Sequence, residues 1–181
     1  ILLNARNELY LNLRFMDAAL SSLNFVPDFT AEGAGTDGYH YTYQPDFLAG
    51  RFMSGRVIVN RLYLHSGLHC VFVHMDTRGK REEGLWNLAC DIAVEYLIDS
   101  MDMKCLHRPQ TPARRECYLR LKEKTGVMNA QSIYRCLQEE KLPEGRYLAL
   151  MAEFYADNHS YWTDENDRPR MASDRKNKWD G

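Results

Sequence analysis

The chain has 181 residues, 45% of them hydrophobic and 27% charged, enough for one domain with a real core, or for one domain and an appendage. A net charge of −2 gives no electrostatic basis for binding nucleic acid or an anionic membrane surface. No stretch approaches the roughly 20 apolar residues that a membrane span needs.

Residues 2–24 read as one amphipathic helix, with Leu9, Leu11, Leu13, Phe15, Met16 and Leu20 on a broad apolar face and Pro27 as its stop. Residues 31–38, with Gly33 and Gly35, read as a loop. Tyr39-His40-Tyr41-Thr42-Tyr43 is β-prone, and Pro45 is expected to end that strand. Residues 53–74 follow a helical pattern that is apolar nearly all round, the mark of a helix in the middle of a domain. A charged loop (76–83) separates it from a second buried helix over about 85–100. Thr111-Pro112 pairs a capping side chain with proline at the first helical position, and starts a polar helix to about Lys124. Asn129 caps another helix through Glu139, and Pro143 precedes a third over about 146–156. From Asp164 the chain is charged and poor in apolar residues, and reads as a tail or linker. The elements predict an α+β domain, mostly helical, over 1–163, followed by the segment 164–181. Beginning at Ile1 with neither Met nor a signal-like segment, the sequence reads as an excerpt from a longer chain. Its five cysteines are odd in number and form no CxxC pair, and Cys70 and Cys90 sit in apolar runs. Reduced core thiols in a cytoplasmic protein fit that usage better than secretion does.

Two helices carry candidate chemistry. His65 and His69 are four apart, so they leave one face of their helix about 40° apart, a spacing at which two imidazoles can share a metal ion. In the HExxH arrangement of zinc peptidases a glutamate after the first histidine is the general base. Here that position is Ser66, whose hydroxyl cannot take up a proton near neutral pH. Two core histidines bonded to backbone or carboxylate are the plainer alternative. On the next helix the strongly polar side chains are Asn87, Asp91 and Glu95, spaced i, i+4, i+8 among apolar residues. A carboxylate there is costly unless paired, hydrogen-bonded or metal-bound. The stripe is either solvent-facing or part of a histidine–carboxylate site in which Asp91 is the third ligand and Glu95 orients a histidine from behind. His74, about 140° round the helix from His69, is a poor ligand for the same ion and reads as a helix-end histidine. His159, in Asp157-Asn158-His159-Ser160-Tyr161-Trp162, fits equally a fourth ligand or oxyanion donor and a surface residue. His40 and His107 receive no role.

The run from Tyr63 to His74 and the run Leu85-Trp86-Asn87-Leu88-Ala89-Cys90-Asp91-Ile92-Ala93 together resemble the metallopeptidase-like domain found ahead of a von Willebrand factor A-like domain in bacteria. Thr36-Asp37-Gly38, Tyr43-Gln44-Pro45 and the late Asp157 to Trp162 run are similar to further pieces of that family, over roughly residues 1–165. The resemblance implies a zincin-like fold of the gluzincin type, with a small sheet over the helix that carries the histidines. It implies zinc on His65, His69 and Asp91, and Ser66 where the catalytic glutamate stands; the stripe itself puts Glu95 and Asn87 behind the ligands. It also implies a linker from 164 into a von Willebrand-like domain, and an ATPase partner.

Three readings remain open at this point. The first is a zinc-binding domain that hydrolyses little or nothing. The second is an active peptidase with another base such as Glu95. The third is a non-enzymatic module that binds a peptide strand along residues 39–43 by β-augmentation.

Overall fold

Of the apolar face expected on the first helix, Leu9, Leu13, Met16 and Leu20 are buried, joined by Leu23 in an alternating spacing of four and three, whereas Leu11 and Phe15 are exposed. The buried residues do not lie on one helix. In the computed structural model, which describes residues 1–162 and 177–179, α1 (Leu2–Asn12) stops at Leu13, where φ is −127°. A 3-10 turn (Arg14–Met16) and the short α2 (Asp17–Ser21) follow. The series keeps its inward face across the break, which is why periodicity alone merged the pieces. The expected helix over 2–24 also ends in a strand, β1 (Asn24–Pro27).

Two more short strands complete the sheet: β2 (Ala34–Thr36), inside the stretch read as a loop, and β3 (His40–Tyr43). The order is β1-β3-β2, with β1 parallel and β2 antiparallel to β3. Thr36 faces Tyr41 and Gly35 faces Thr42 in the register. β3 is therefore the central strand, paired on both sides, and residues 39–43 do not offer the edge that β-augmentation requires. Pro45 does not merely stop β3. It is the first residue of α3 (Pro45–Ser54), whose Gln44 cap accepts from the Phe47 N–H.

The apolar run over 53–74 is split as well. Gly55 takes φ +152°, closing α3 through its N–H to Arg51 and Phe52, and α4 (Arg56–Val71) starts afresh. α4 is buried from Val59 through Cys70, as an all-round apolar helix should be. Tyr41 of β3 meets Tyr63 edge-on at 5.3 Å, and Thr36 Oγ1 of β2 lies 4.0 Å from Cys70 Sγ, so the small sheet lies against the histidine-bearing helix. Arg6 of α1 spans Tyr63 Oη and the Leu23 carbonyl while stacking on Phe25.

The chain divides into two compact units. The first comprises Ile1–Thr77, Met103–Leu106 and the described residues of Asp157–Gly181; the second comprises Arg78–Asp102 and His107–Ala156. The second is helical: α5 (Glu83–Ser100), α6 (Pro112–Thr125), α7 (Ala130–Glu140) and α8 (Glu144–Phe154). α5 packs on α7 and α8, and α6 on α7. Thr111 and Asn129 cap α6 and α7 by accepting from Arg114 and Ser132 N–H groups, as their positions in the sequence predict. Within the same unit the Arg114 guanidinium is buried among acceptors on α5 and α8. Nη1 donates to Glu95 at 2.5 Å and to Asp99 at 3.1 Å, Nε to Glu153 at 2.9 Å, and Nη2 to the Glu153 carbonyl at 2.8 Å. The architecture is thus α+β and mostly helical. No described helix is long and apolar enough to cross a membrane. Of the segment read as a tail from residue 164, only 177–179 are described. Lys178 Nζ donates to the Ser22 and Gly38 carbonyls, and Trp179 Nε1 to Gly38.

Candidate metal centre

The side chains at 65 and 69 face each other across one turn of α4, both fully buried. His65 Nε2 and His69 Nε2 are 2.8 Å apart. Two imidazoles on one tetrahedral zinc ion, each with a Zn–N bond of about 2.0 Å, hold their nitrogens about 3.3 Å apart. A small rotation of either ring covers the difference.

The segment after α8 brings the other groups. Asp157 and His159 belong to the first unit with α4. Asp157 Oδ1 lies 3.0 Å from His159 Nε2 and 3.5 Å from His65 Nε2. Its partner oxygen, Oδ2, accepts the Ser66 hydroxyl at 2.5 Å. His65, His69, Asp157 and His159 each offer a ligand atom, and these atoms all lie within 4.8 Å of one another. Trp162, on the 3-10 turn His159–Trp162, stacks on His159 with centroids 3.7 Å apart and meets His69 edge-on at 4.8 Å. Burial works to raise the Asp157 pKa, but the charges of His159 and His65 outweigh it and hold the carboxyl at about 2. The aspartate is therefore ionised at neutral pH in a place water does not reach.

Two observations test whether these residues suit a metal ion. Asp157 Oδ1 is buried and makes no hydrogen bond, although imidazole nitrogens flank it. The donor set, imidazole nitrogens with a carboxylate oxygen, is also the chemistry that zinc and neighbouring first-row ions prefer. The residues fit.

His74 departs from its expected place. α4 ends at Val71, and Val73 takes φ +54°, a region that β-branched residues rarely enter. This turn sends the chain back, so that His74 is buried with its Nδ1 2.9 Å from His69 Nδ1 and its N–H bonded to the His69 carbonyl. It is a helix-end residue that is also a partner of a candidate ligand. If His69 ligates through Nε2, its Nδ1 must carry the proton and donate it to His74. His74→Ala is expected to weaken zinc binding about 10–100-fold, measured by competition with a chromophoric chelator. Unchanged affinity would reduce His74 to packing.

Ser66 is fully buried, and its hydroxyl is engaged as a donor to Asp157. Asp157 itself was overlooked in the sequence. It lies two residues before His159 in the run already singled out, an acidic group flanking a histidine, and that was the available signal. The residues of the polar stripe all lie on α5 in the second unit. Asp91 is buried at 2% exposure, and Asn87, one turn earlier, is half-buried. Glu95 accepts from Arg114 at 2.5 Å, with Arg108 4.0 Å away. His40 pairs with Asp37 at the surface.

Two buried histidines on α4, with Asp157 and His159 from a distant segment, form a group that could hold a metal ion. The chain belongs to the family described as "Putative metallopeptidase domain", whose model matches residues 2–178. No curated protein and no solved structure matches it.

Proposed function

We propose that this is a zinc-binding, metallopeptidase-like domain whose hydrolytic step is impaired. His65, His69, Asp157 and His159 would hold the ion. Asp91 would be a further ligand contributed by α5; its support is the family resemblance and the cost of burying a carboxylate on an apolar helix. Bound zinc supplies Lewis-acid polarisation and lowers the pKa of a coordinated water.

The observation that carries this reading is Ser66. At the position of the general base stands a buried hydroxyl already donating to Asp157. Loss of a general base typically costs about 10²–10⁴-fold. Glu95 is a poor replacement, because a carboxylate held by a guanidinium at 2.5 Å has little tendency to accept a proton. Asp157, held at about 2, is a weak base for the same reason. Two parts of the reading rest on resemblance alone: a peptide or protein ligand in the old cleft, and a von Willebrand A-like domain with an ATPase as partners. A cytoplasmic location is supported by five free, buried cysteines.

Elemental analysis of the purified protein is expected to find zinc in equimolar amount, with uptake at micromolar concentration after chelation and a weaker site in Asp91→Ala. Casein or peptide turnover is expected from Ser66→Glu and not from the wild type. A protein that takes up no zinc sinks the metal reading. Wild-type turnover abolished by Glu95→Gln establishes an active enzyme instead.

A further inference from the structure

The candidate centre is assembled from two pieces far apart in sequence. α4 presents His65 and His69 from a rigid, buried helix, whereas Asp157 and His159 arrive on a short segment that must be held against the first unit by something. What holds it is β2. The Asn158 N–H donates to the Ala34 carbonyl at 2.7 Å, and Asn158 Nδ2 reaches the Glu32 carbonyl at 3.3 Å. Asn158 Oδ1 in turn accepts from the Ser160 N–H at 2.9 Å, closing the loop on itself.

Between those contacts sits Gly35. A Cβ placed on it would lie 2.3 Å from the Asn158 carbonyl oxygen and 2.7 Å from Tyr161 Cδ2. The first of these is backbone, which cannot swing away as the end of a side chain can. Gly35 lies within an extended strand, paired with Thr42, so left-handed backbone is not the reason for a glycine here. The reason is contact: the segment lies directly on the strand. Asn158 is the residue between Asp157 and His159, so whatever displaces its backbone displaces both candidate ligands together.

We infer that Gly35 is a positioning residue for the metal centre: by having no side chain it lets the 157–162 segment seat on β2, and that seat sets Asp157 and His159 opposite the α4 histidines. The inference rests on the metal-binding reading above, but the seat itself exists without metal and can be tested without it. Alanine and valine both suit a strand better than glycine does, so a loss in Gly35→Ala or Gly35→Val reports the collision rather than a weakened β2.

The experiment compares full-length wild type, Gly35→Ala, Gly35→Val and Asn158→Ala. Asn158→Ala leaves the sheet untouched and removes only the loop's side-chain bonds, so it preserves the test if the Gly35 variants fail to fold. Hydrogen exchange is read first, on metal-free protein. Faster exchange over 157–162 in the variants, with α4 and β3 protected as in wild type, is the expected result; equal exchange everywhere overturns the seat. Zinc affinity is read second, by chelator competition. The Gly35 variants are expected to bind about 10–100-fold more weakly, and Asn158→Ala to shift less in the same direction. With cobalt as the probe, their visible spectrum should change shape as well as intensity, because ligands are lost and not merely loosened. Wild-type affinity and spectrum in Gly35→Val overturn the positioning role. If the wild type itself binds no metal, the proposed function and this role both fall, while the exchange data still show whether the seat exists.

Discussion

Ser66→Glu is expected to destabilise the metal-free protein by about 3–5 kcal/mol, the cost of an uncompensated charge in a buried site. Position 66 has no solvent exposure, so the longer side chain must find room in a packed interior. Its carboxylate would also arrive where Ser66 now donates to Asp157, replacing a hydrogen bond with repulsion between like charges. Zinc should recover part of the loss, because a divalent cation offsets both carboxylates: binding at 100 times Kd contributes about 2.7 kcal/mol. Chemical denaturation with chelator and with zinc measures both quantities. Ser66→Ala is the comparison, expected to cost only about 1–3 kcal/mol through the Asp157 oxygen it leaves without that donor. A glutamate variant as stable as wild type in chelator would mean that position 66 is neither confined nor coupled to Asp157.

The same contact explains why part of the site could be read from the sequence and part could not. His65, Ser66 and His69 lie within about one turn of one helix, so spacing alone places them together, and the apolar run around them gives their burial. Asp157 meets Ser66 across 91 positions, and no local pattern carries that pairing. The approach of His74 to His69 was hidden for a related reason: a helix projected past Val71 turns it away from His69, whereas the positive-φ turn at Val73 folds it back. β3 was legible from its β-prone residues 39–43, but β1 and β2 are only four and three residues long, too short for alternation to register, and β2 is buried by what docks on it. By contrast α6 and α7 were legible because their start signals, Thr111 and Asn129, are local hydrogen-bond acceptors that do in the structure what their chemistry predicts, and α5 because its apolar run is long; its Glu82 cap lies in the stretch read as a charged loop.

Glu95 has a charge partner inside its own unit. Its place on an apolar helix demanded a compensating group, and within the second unit that group is Arg114. Arg114 is 1% exposed, it binds carboxylates on both α5 and α8, and its guanidinium lies 4.7 Å from the Phe154 ring centre. The Tyr118 hydroxyl donates to the same Asp99 oxygen at 2.8 Å. Burial alone would lower the Arg114 pKa, but the Glu95 charge, with lesser contributions from its neighbours, carries it above the ordinary arginine value. Removing such a cation leaves buried carboxylates behind, so Arg114→Met is expected to cost about 3–5 kcal/mol. Arg108, 4.0 Å from Glu95 and partly exposed, is too far to replace the lost hydrogen bonds. Substituting the acids together with the arginine (Arg114→Met, Glu95→Leu, Asp99→Leu) should recover most of the loss, since a well-packed apolar replacement of a buried ionic network is often neutral. Denaturant unfolding followed by circular dichroism separates the cases, and metal uptake measured alongside adds a functional reading. If Glu95 serves the helical unit alone, the triple variant keeps wild-type zinc affinity. A stable triple variant with weakened zinc binding would return Glu95 to the metal centre.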